Sequence, residues 1–125
     1  MLRLPVFQHH RPTAMEDALE LLAGFAKRGE SAKIIAGGTD LVPNMKHELE
    51  MPEHVVSLRG LGLDGIRKEG ANILIGAMTP LESIVENELV MGSLPALAEA
   101  VLQIAGPQLR VMGTIGGNVC YLYAT

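Results

Sequence analysis

Tryptophan is absent from this chain, and two Phe and two Tyr are its whole complement of aromatic hydrophobes. A platform for stacking nucleic-acid bases needs more rings than that. Basic residues are outnumbered, 10 against 14 acids for a net charge of −4, and no Lys/Arg cluster forms the basic face of a nucleic-acid binder. Cys120 is the only cysteine, so an internal disulfide is impossible and a disulfide-stapled secreted scaffold is excluded. No apolar stretch approaches the ~20 residues of a membrane-spanning helix. The opening Met1-Leu2-Arg3-Leu4-Pro5 lacks the apolar segment of a signal peptide. A cytoplasmic protein with no membrane span and no nucleic-acid partner is expected. Glycine and proline, by contrast, are plentiful, at 14 and 7 of 125 residues. The glycines cluster, and the clusters organise the chain.

Residues 7–12 read as a polar lead-in. Thr13-Ala14-Met15-Glu16 has the form of a capping box that opens a helix. Met15, Ala18, Leu19, Leu22 and Phe25 recur at helical spacing as one apolar face, and Lys27-Arg28-Gly29 closes the helix. Residues 32–36 suit a buried strand, residues 40–50 a short irregular helix with Pro43 in its first turn, and residues 54–58 another strand. A subdomain boundary is expected near Arg59, giving units 1–58 and 59–125. Beyond it, residues 66–68 and 73–75 flank Glu69-Gly70-Ala71-Asn72 as a β-hairpin. Thr79-Pro80-Leu81-Glu82 reads as an N-cap, a Pro at N1 and an acid at N3. Ser93 is expected to open a further helix, buried through Leu94, Leu97, Ala98, Val101, Leu102 and Ala105 and ended by Gly106-Pro107. The alternation of strands and helices makes the fold class α/β.

Ala36-Gly37-Gly38-Thr39-Asp40 lies between a predicted strand and a predicted helix. Glycines there admit a ligand close to the backbone. Successive amides can form an anion-binding nest, the helix start adds partial positive charge, and Thr39 adds a hydroxyl. Gly113-Thr114-Ile115-Gly116-Gly117-Asn118 repeats the pairing of a hydroxyl with adjacent glycines. Two such clusters suit the two phosphates of a dinucleotide, whereas either alone is ordinary turn punctuation.

Other patterns carry less. Gly60-Leu61-Gly62-Leu63-Asp64-Gly65 matches G-x-G-x-x-G, but a hairpin follows where a helix is required. His9, His10, His47 and His54 lack zinc-site spacing and read as surface or loop residues. Cys120 between Val119 and Tyr121 reads as a small buried hydrophobe, and the seven Met as core filling. Nothing fixes Asp40 and Glu48 as a catalytic pair, and Asp40 reads as a helix cap.

The glycine pair sits inside a longer resemblance. Ala32-Lys33-Ile34-Ile35-Ala36-Gly37-Gly38-Thr39-Asp40-Leu41 and Gly113-Thr114-Ile115-Gly116-Gly117-Asn118 resemble the first and second FAD motifs of the flavin subunits of molybdenum hydroxylases. That family includes xanthine dehydrogenase, carbon monoxide dehydrogenase and 4-hydroxybenzoyl-CoA reductase. Met45-Lys46, Ile75-Gly76-Ala77-Met78-Thr79 and Ile104-Ala105-Gly106-Pro107-Gln108-Leu109-Arg110 resemble its flanking segments, in the same order. The resemblance implies a PCMH-type FAD-binding fold of two small α/β subdomains with FAD between them. It assigns FAD contacts to Ile34, Ile35, Ala36, Gly37, Gly38, Thr39, Asp40 and Leu41, with Gly37, Gly38 and Thr39 near the diphosphate. Thr114, Gly116, Gly117 and Asn118 match the second set, and Ile104 and Ala105 match positions bordering the flavin. It further implies an iron–sulfur subunit and a molybdenum-cofactor subunit as partners, with electrons passing through FAD to NAD⁺ or another acceptor. The family's domain continues past its second motif, so an incomplete second subdomain and weak FAD retention are expected. Tyr121-Leu122-Tyr123-Ala124-Thr125 also departs from the family's usual continuation. On the residues alone, a flavin-free assembly module and a domain for another phosphate ligand stay open.

Overall fold

The structure, a computed structural model, describes residues 2–121; Leu122, Tyr123, Ala124 and Thr125, the end of the expected second subdomain, lie outside the described residues. The chain divides into two compact units, Met1–Gly62 and Leu63–Thr125.

The first unit runs β1 (Gln8–His10), α1 (Met15–Arg28), β2 (Ala32–Ile35), α2 (Leu41–Lys46) and β3 (His54–Ser57). The strands form a parallel sheet in the order β1-β3-β2, with Ala32 opposite His54 and Gln8 opposite His54 from the other side. The central strand β3 is buried along its length, as expected of a parallel strand paired on both edges. The lead-in read as polar coil thus contributes a strand, because Gln8-His9-His10 pairs with β3.

Helix α1 begins one residue later than the capping box requires. Ala14 is the N-cap in an extended conformation, with no side-chain cap, so Thr13 and Glu16 are out of register for the reciprocal bonds. Its C-terminus follows expectation, with Gly29 left-handed at φ 67 and its N–H donating to Ala26 O. Of the predicted apolar face, Ala18 and Phe25 are buried and Leu22 is half-buried, while Met15 and Leu19 stay exposed. A three-stranded sheet is narrow, and covers only a stripe of the helix.

The second unit runs β4 (Ile66–Glu69), β5 (Asn72–Ile75), α3 (Leu81–Val85), α4 (Glu88–Ser93), α5 (Pro95–Leu102), α6 (Pro107–Arg110) and α7 (Ile115–Cys120). β4 and β5 form the expected hairpin, turning at Gly70 with φ 58. Leu81, Ile84, Val90, Ala98 and Val101 form the core, with Ile66, Ile75, Ile104 and Ile115 packed on it. Leu94, Leu102 and Ala105, expected on the buried face of α5, are exposed.

Two helix starts differ from expectation. Thr79 does not cap α3: Pro80 occupies the cap position, and the buried Thr79 hydroxyl accepts from Gly65 N at 2.9 Å and donates to Gly65 O at 3.2 Å. Ser93 closes α4 instead of opening a helix. Asn87 caps α4 by accepting from Val90 N at 3.2 Å, and α5 starts on Pro95, whose missing N–H costs nothing there. Among the described residues no helix is long and apolar enough to cross a membrane. The G-x-G-x-x-G segment is a chain of left-handed glycines, φ 96 at Gly60, 67 at Gly62 and 114 at Gly65, leading into β4 and not into a helix.

Candidate functional site

The first glycine cluster leaves the carboxyl end of β2. In open α/β sheets this end of the strands is where ligands gather. Ile34 and Ile35 are on β2, Ala36 to Thr39 form a half-buried turn, Asp40 is exposed, and Leu41 starts α2. Gly38 is left-handed at φ 77, and a Cβ there would meet Ile35 Cδ1 at 3.1 Å and Val42 Cγ2 at 3.3 Å. Its missing side chain therefore serves the turn itself, beyond any room it leaves for a ligand. Gly38 O and Asp40 O accept from Val42 N and Asn44 N. Among the described residues, no acceptor pairs with the backbone N–H of Gly37, Gly38, Thr39 or Asp40. Amides of a half-buried turn that no protein acceptor engages are open to water or to an anionic ligand. Asp40 stands at the cap position of α2 but makes no side-chain cap. With only six residues, α2 adds little partial charge, so the amides are the principal donors.

The second cluster has the opposite hydrogen-bond state. It is the start of a helix, not an open turn. Thr114, buried, is the N-cap of α7 and its Oγ1 accepts from Gly117 N at 3.1 Å. Ile115 N donates to Thr79 O, Gly116 N to Ala77 O at 2.8 Å, and Asn118 N to Thr114 O. A Cβ on Gly116 would lie 2.7 Å from Ala77 O and 2.8 Å from Ala77 Cβ. No amide nest is therefore available here: the amides are engaged inside the protein. Thr114 and Gly116 dock the segment, while Gly117 and Asn118 are exposed.

Ile104 and Ala105 follow α5. Ile104 is half-buried against the core, and Ala105 is exposed with φ 45, in the left-handed region. Side chains other than glycine enter that region at a cost of about 1–2 kcal/mol. Both carbonyls are held by Arg110, whose Nη1 donates to Ala105 O at 3.0 Å and Ile104 O at 3.3 Å, while its Nε donates to Glu82 Oε2 at 2.7 Å.

Several residues lie elsewhere than expected. His47 and, on β1, His9 are exposed, but His10 on β1 is half-buried and His54 on β3 is only 8% exposed. His54 Nε2 is 3.0 Å from Glu30 Oε2, and His54 Nδ1 is 3.1 Å from His10 Nε2. A carboxylate only accepts, so His54 carries a proton on Nε2. Phe25 stacks on the His54 ring at 3.9 Å. The sequence signal was the run His54-Val55-Val56-Ser57: a parallel strand buried on both faces takes every residue inside. Cys120 is exposed, because α7 turns it outward, and Met51, Met91 and Met112 are exposed while Met45 is buried. A cavity on the first unit is lined by His9, His10, Arg11, Asp17, Glu20 and Arg28, and none of residues 34–41 borders it. Its mixed charges and its lining separate it from the candidate site. Among the described residues no group of three or more His, Cys, Asp or Glu is placed to hold a metal ion.

Comparison with known proteins places the chain in a family. The carbon monoxide dehydrogenase medium chain of Afipia carboxidovorans is 48% identical over 113 residues, covering 90% of this chain and 38% of that one. The xanthine dehydrogenase FAD-binding subunit of Escherichia coli is 37% identical over 114 residues, covering 90% and 38%. A solved structure of carbon monoxide dehydrogenase from Hydrogenophaga pseudoflava, lacking the Mo-pyranopterin moiety of its cofactor, superposes with a TM-score of 0.87 at 40% identity, covering 94% of this chain and 40% of that one. The chain thus spans about two fifths of the length of the curated relatives it matches. The family model for the FAD binding domain in molybdopterin dehydrogenase matches residues 5–124. With nearly the whole chain matched, and the same fold in a solved relative, this protein belongs to the FAD-binding domain family of the molybdopterin dehydrogenases.

Proposed function

We propose that the chain supplies part of the FAD site of a molybdenum-dependent dehydrogenase complex, with the diphosphate held at residues 37–40. The observation that carries this reading is the run of unpaired amides at the half-buried Gly37, Gly38 and Thr39 and the exposed Asp40. Neutral N–H donors suit a phosphate oxygen, and the Thr39 hydroxyl adds another donor. Ile34, Ile35, Ala36 and Leu41 line the approach on either side of the turn. From the second unit, Gly117 and Asn118 are the exposed members of the second set, and Thr114 and Gly116 keep them in place. Ile104 and Ala105 border the flavin.

The cofactor supplies the redox chemistry, accepting and passing on electrons, and the protein supplies binding and orientation. No side chain of this chain acts as a general acid or base in the reading. An iron–sulfur subunit and a molybdenum-cofactor subunit are the proposed partners, NAD⁺ or another acceptor the proposed electron sink, and the cytoplasm the proposed location. Support comes from relatives named as the medium chain or FAD-binding subunit of carbon monoxide and xanthine dehydrogenases.

The test is a calorimetric titration of the purified chain with FAD and, separately, with ADP, alongside a visible spectrum. A preference for FAD over ADP is expected, with flavin bands in the titrated sample. Equal affinities would make this a general nucleotide-binding domain, and folded protein that binds neither would leave an assembly module.

A further inference from the structure

We propose that Arg110, paired with Glu82, is a positioning residue that sets the geometry of both cofactor-facing segments of the second unit at once; the proposal rests on the FAD reading above. The guanidinium is nearly enclosed, with the Arg110 side chain 9% exposed and that of Glu82 22% exposed. Burying such a charge is unfavourable unless a partner and good hydrogen bonds satisfy it. Arg110 meets that condition with the Glu82 carboxylate and the carbonyls of Ile104 and Ala105.

The carbonyls it chooses are informative. Ala105 is left-handed at φ 45 without being a glycine, a conformation that persists only where surroundings over-determine it. Arg110 grips that residue and the one before it, and its own N–H donates to Gly106 O at 3.1 Å. The other end of the clamp stands on the segment that holds the second glycine cluster. Glu82 directly follows Leu81, whose N–H donates to Gly113 O at 2.9 Å. Pro80 bridges Thr114, Thr79 O accepts from Ile115 N, and Ala77 O accepts from Gly116 N. One ion pair therefore ties the turn at residues 104–105 to the strip on which residues 113–117 are docked. Arginine is required because its planar fork can address a carboxylate and carbonyls simultaneously, whereas an ammonium is a point charge on a flexible stem.

The experiment compares the full chain with Arg110→Lys, Glu82→Gln and, as an exposed control, Arg67→Lys. Amide hydrogen exchange is followed without flavin at Ile104, Ile115, Gly116 and Gly117, with Val55 and Val56 of β3 as internal references. FAD affinity and the visible flavin spectrum are then recorded. Arg110→Lys is expected to accelerate exchange at these amides by about tenfold or more over the references, to weaken FAD by about tenfold, and to shift the flavin bands, with Glu82→Gln intermediate and Arg67→Lys silent. Parental exchange in Arg110→Lys overturns the proposal. So does accelerated exchange with parental affinity and spectrum, which would make the pair a fold-stabilising contact alone. A parent chain that binds no flavin would instead overturn the functional reading, while the exchange arm still decides whether Arg110 orders both segments. If Arg110→Lys does not fold, Glu82→Gln carries the same readouts.

Discussion

Gly38 and Gly116 belong to matching Gly-Gly pairs but are glycines for different physical reasons. At Gly38 the left-handed φ of 77 excludes most side chains, and Ile35 and Val42 occupy the space a Cβ would take. Gly38→Val is expected to destabilise the protein by about 1–3 kcal/mol as well as weaken FAD, so loss of binding must be read beside a thermal melt. An unshifted melting temperature would show that the turn relaxes. At Gly116 the obstacle is the Ala77 backbone, which sits too close for any side chain and accepts the Gly116 N–H. Gly116→Ala should cost about 1–3 kcal/mol by forced backbone movement and should weaken FAD too. Gly76→Ala is the matched control: its Cβ would collide with the Leu63 carbonyl, yet Gly76 is outside the proposed cofactor contacts. A similar stability loss with smaller loss of FAD affinity is expected there, and parallel losses in both variants would remove Gly116 from the binding argument.

At the scale of elements, the parallel pairing of β1 with β3 brings His10 beside His54, and the first unit is expected to be acid-sensitive. Burial, followed by the nearby charges of His54 and His9, holds the His10 pKa below its ordinary 6.5. The folded state therefore binds protons less readily than the unfolded chain. This stabilisation is fully present above pH 6.5 and is lost as pH falls through the lowered folded value. Glu30 is also lowered from 4.5, first by the hydrogen bond from Arg28 and then by Arg28 and His54 charge, so its contribution is lost in a separate window below that pH. The expected outcome is a melting temperature that declines from pH 7 toward pH 5, and His10→Gln should flatten that part of the curve. An equally steep decline in His10→Gln would assign the acid sensitivity to other groups.

At the scale of the whole molecule, a net charge of −4 confronts an anionic ligand, and the proposed contacts include no Lys or Arg. Backbone amides and hydroxyls must do the binding. FAD affinity should then hold steady or rise slightly between about 0.05 M and about 0.5 M salt, because screening relieves repulsion without removing an ion pair. A fall of about tenfold over that range in calorimetric titration would reveal a cationic contact outside the proposed set. The cofactor is also expected to be held non-covalently. Acid precipitation should leave flavin in the supernatant, and flavin remaining in the pellet would contradict this.

Local chemistry is what the amino-acid order specified. The 3.6-residue spacing of α1 and its Gly29 stop, the apolar β2 broken by Gly37-Gly38, and the hairpin around Gly70 each rest on interactions between near neighbours, and each is found where periodicity and turn residues put it, although β2, expected to be buried, leaves Lys33 and Ile34 exposed. The α/β alternation follows from those elements. Helix caps escaped because a hydroxyl bonds whichever partner the folded chain presents. Thr79 serves Gly65, 14 residues away, in place of the helix that follows it. The histidine pair escaped for the same reason, since the half-buried His10 meets the buried His54 across 44 residues only once β1 and β3 are in register. The candidate site shows the division most sharply. Both clusters pair a threonine with two glycines, yet the amides at residues 37–40 stand unpaired while those at residues 115–118 are taken. Composition is nearly identical in the two; the difference is the carbonyls of Ala77 and Thr79, brought to the Ile115 and Gly116 amides by the packing of the second unit, and the Thr114 cap that takes those of Gly117 and Asn118, where Asp40 makes no side-chain cap.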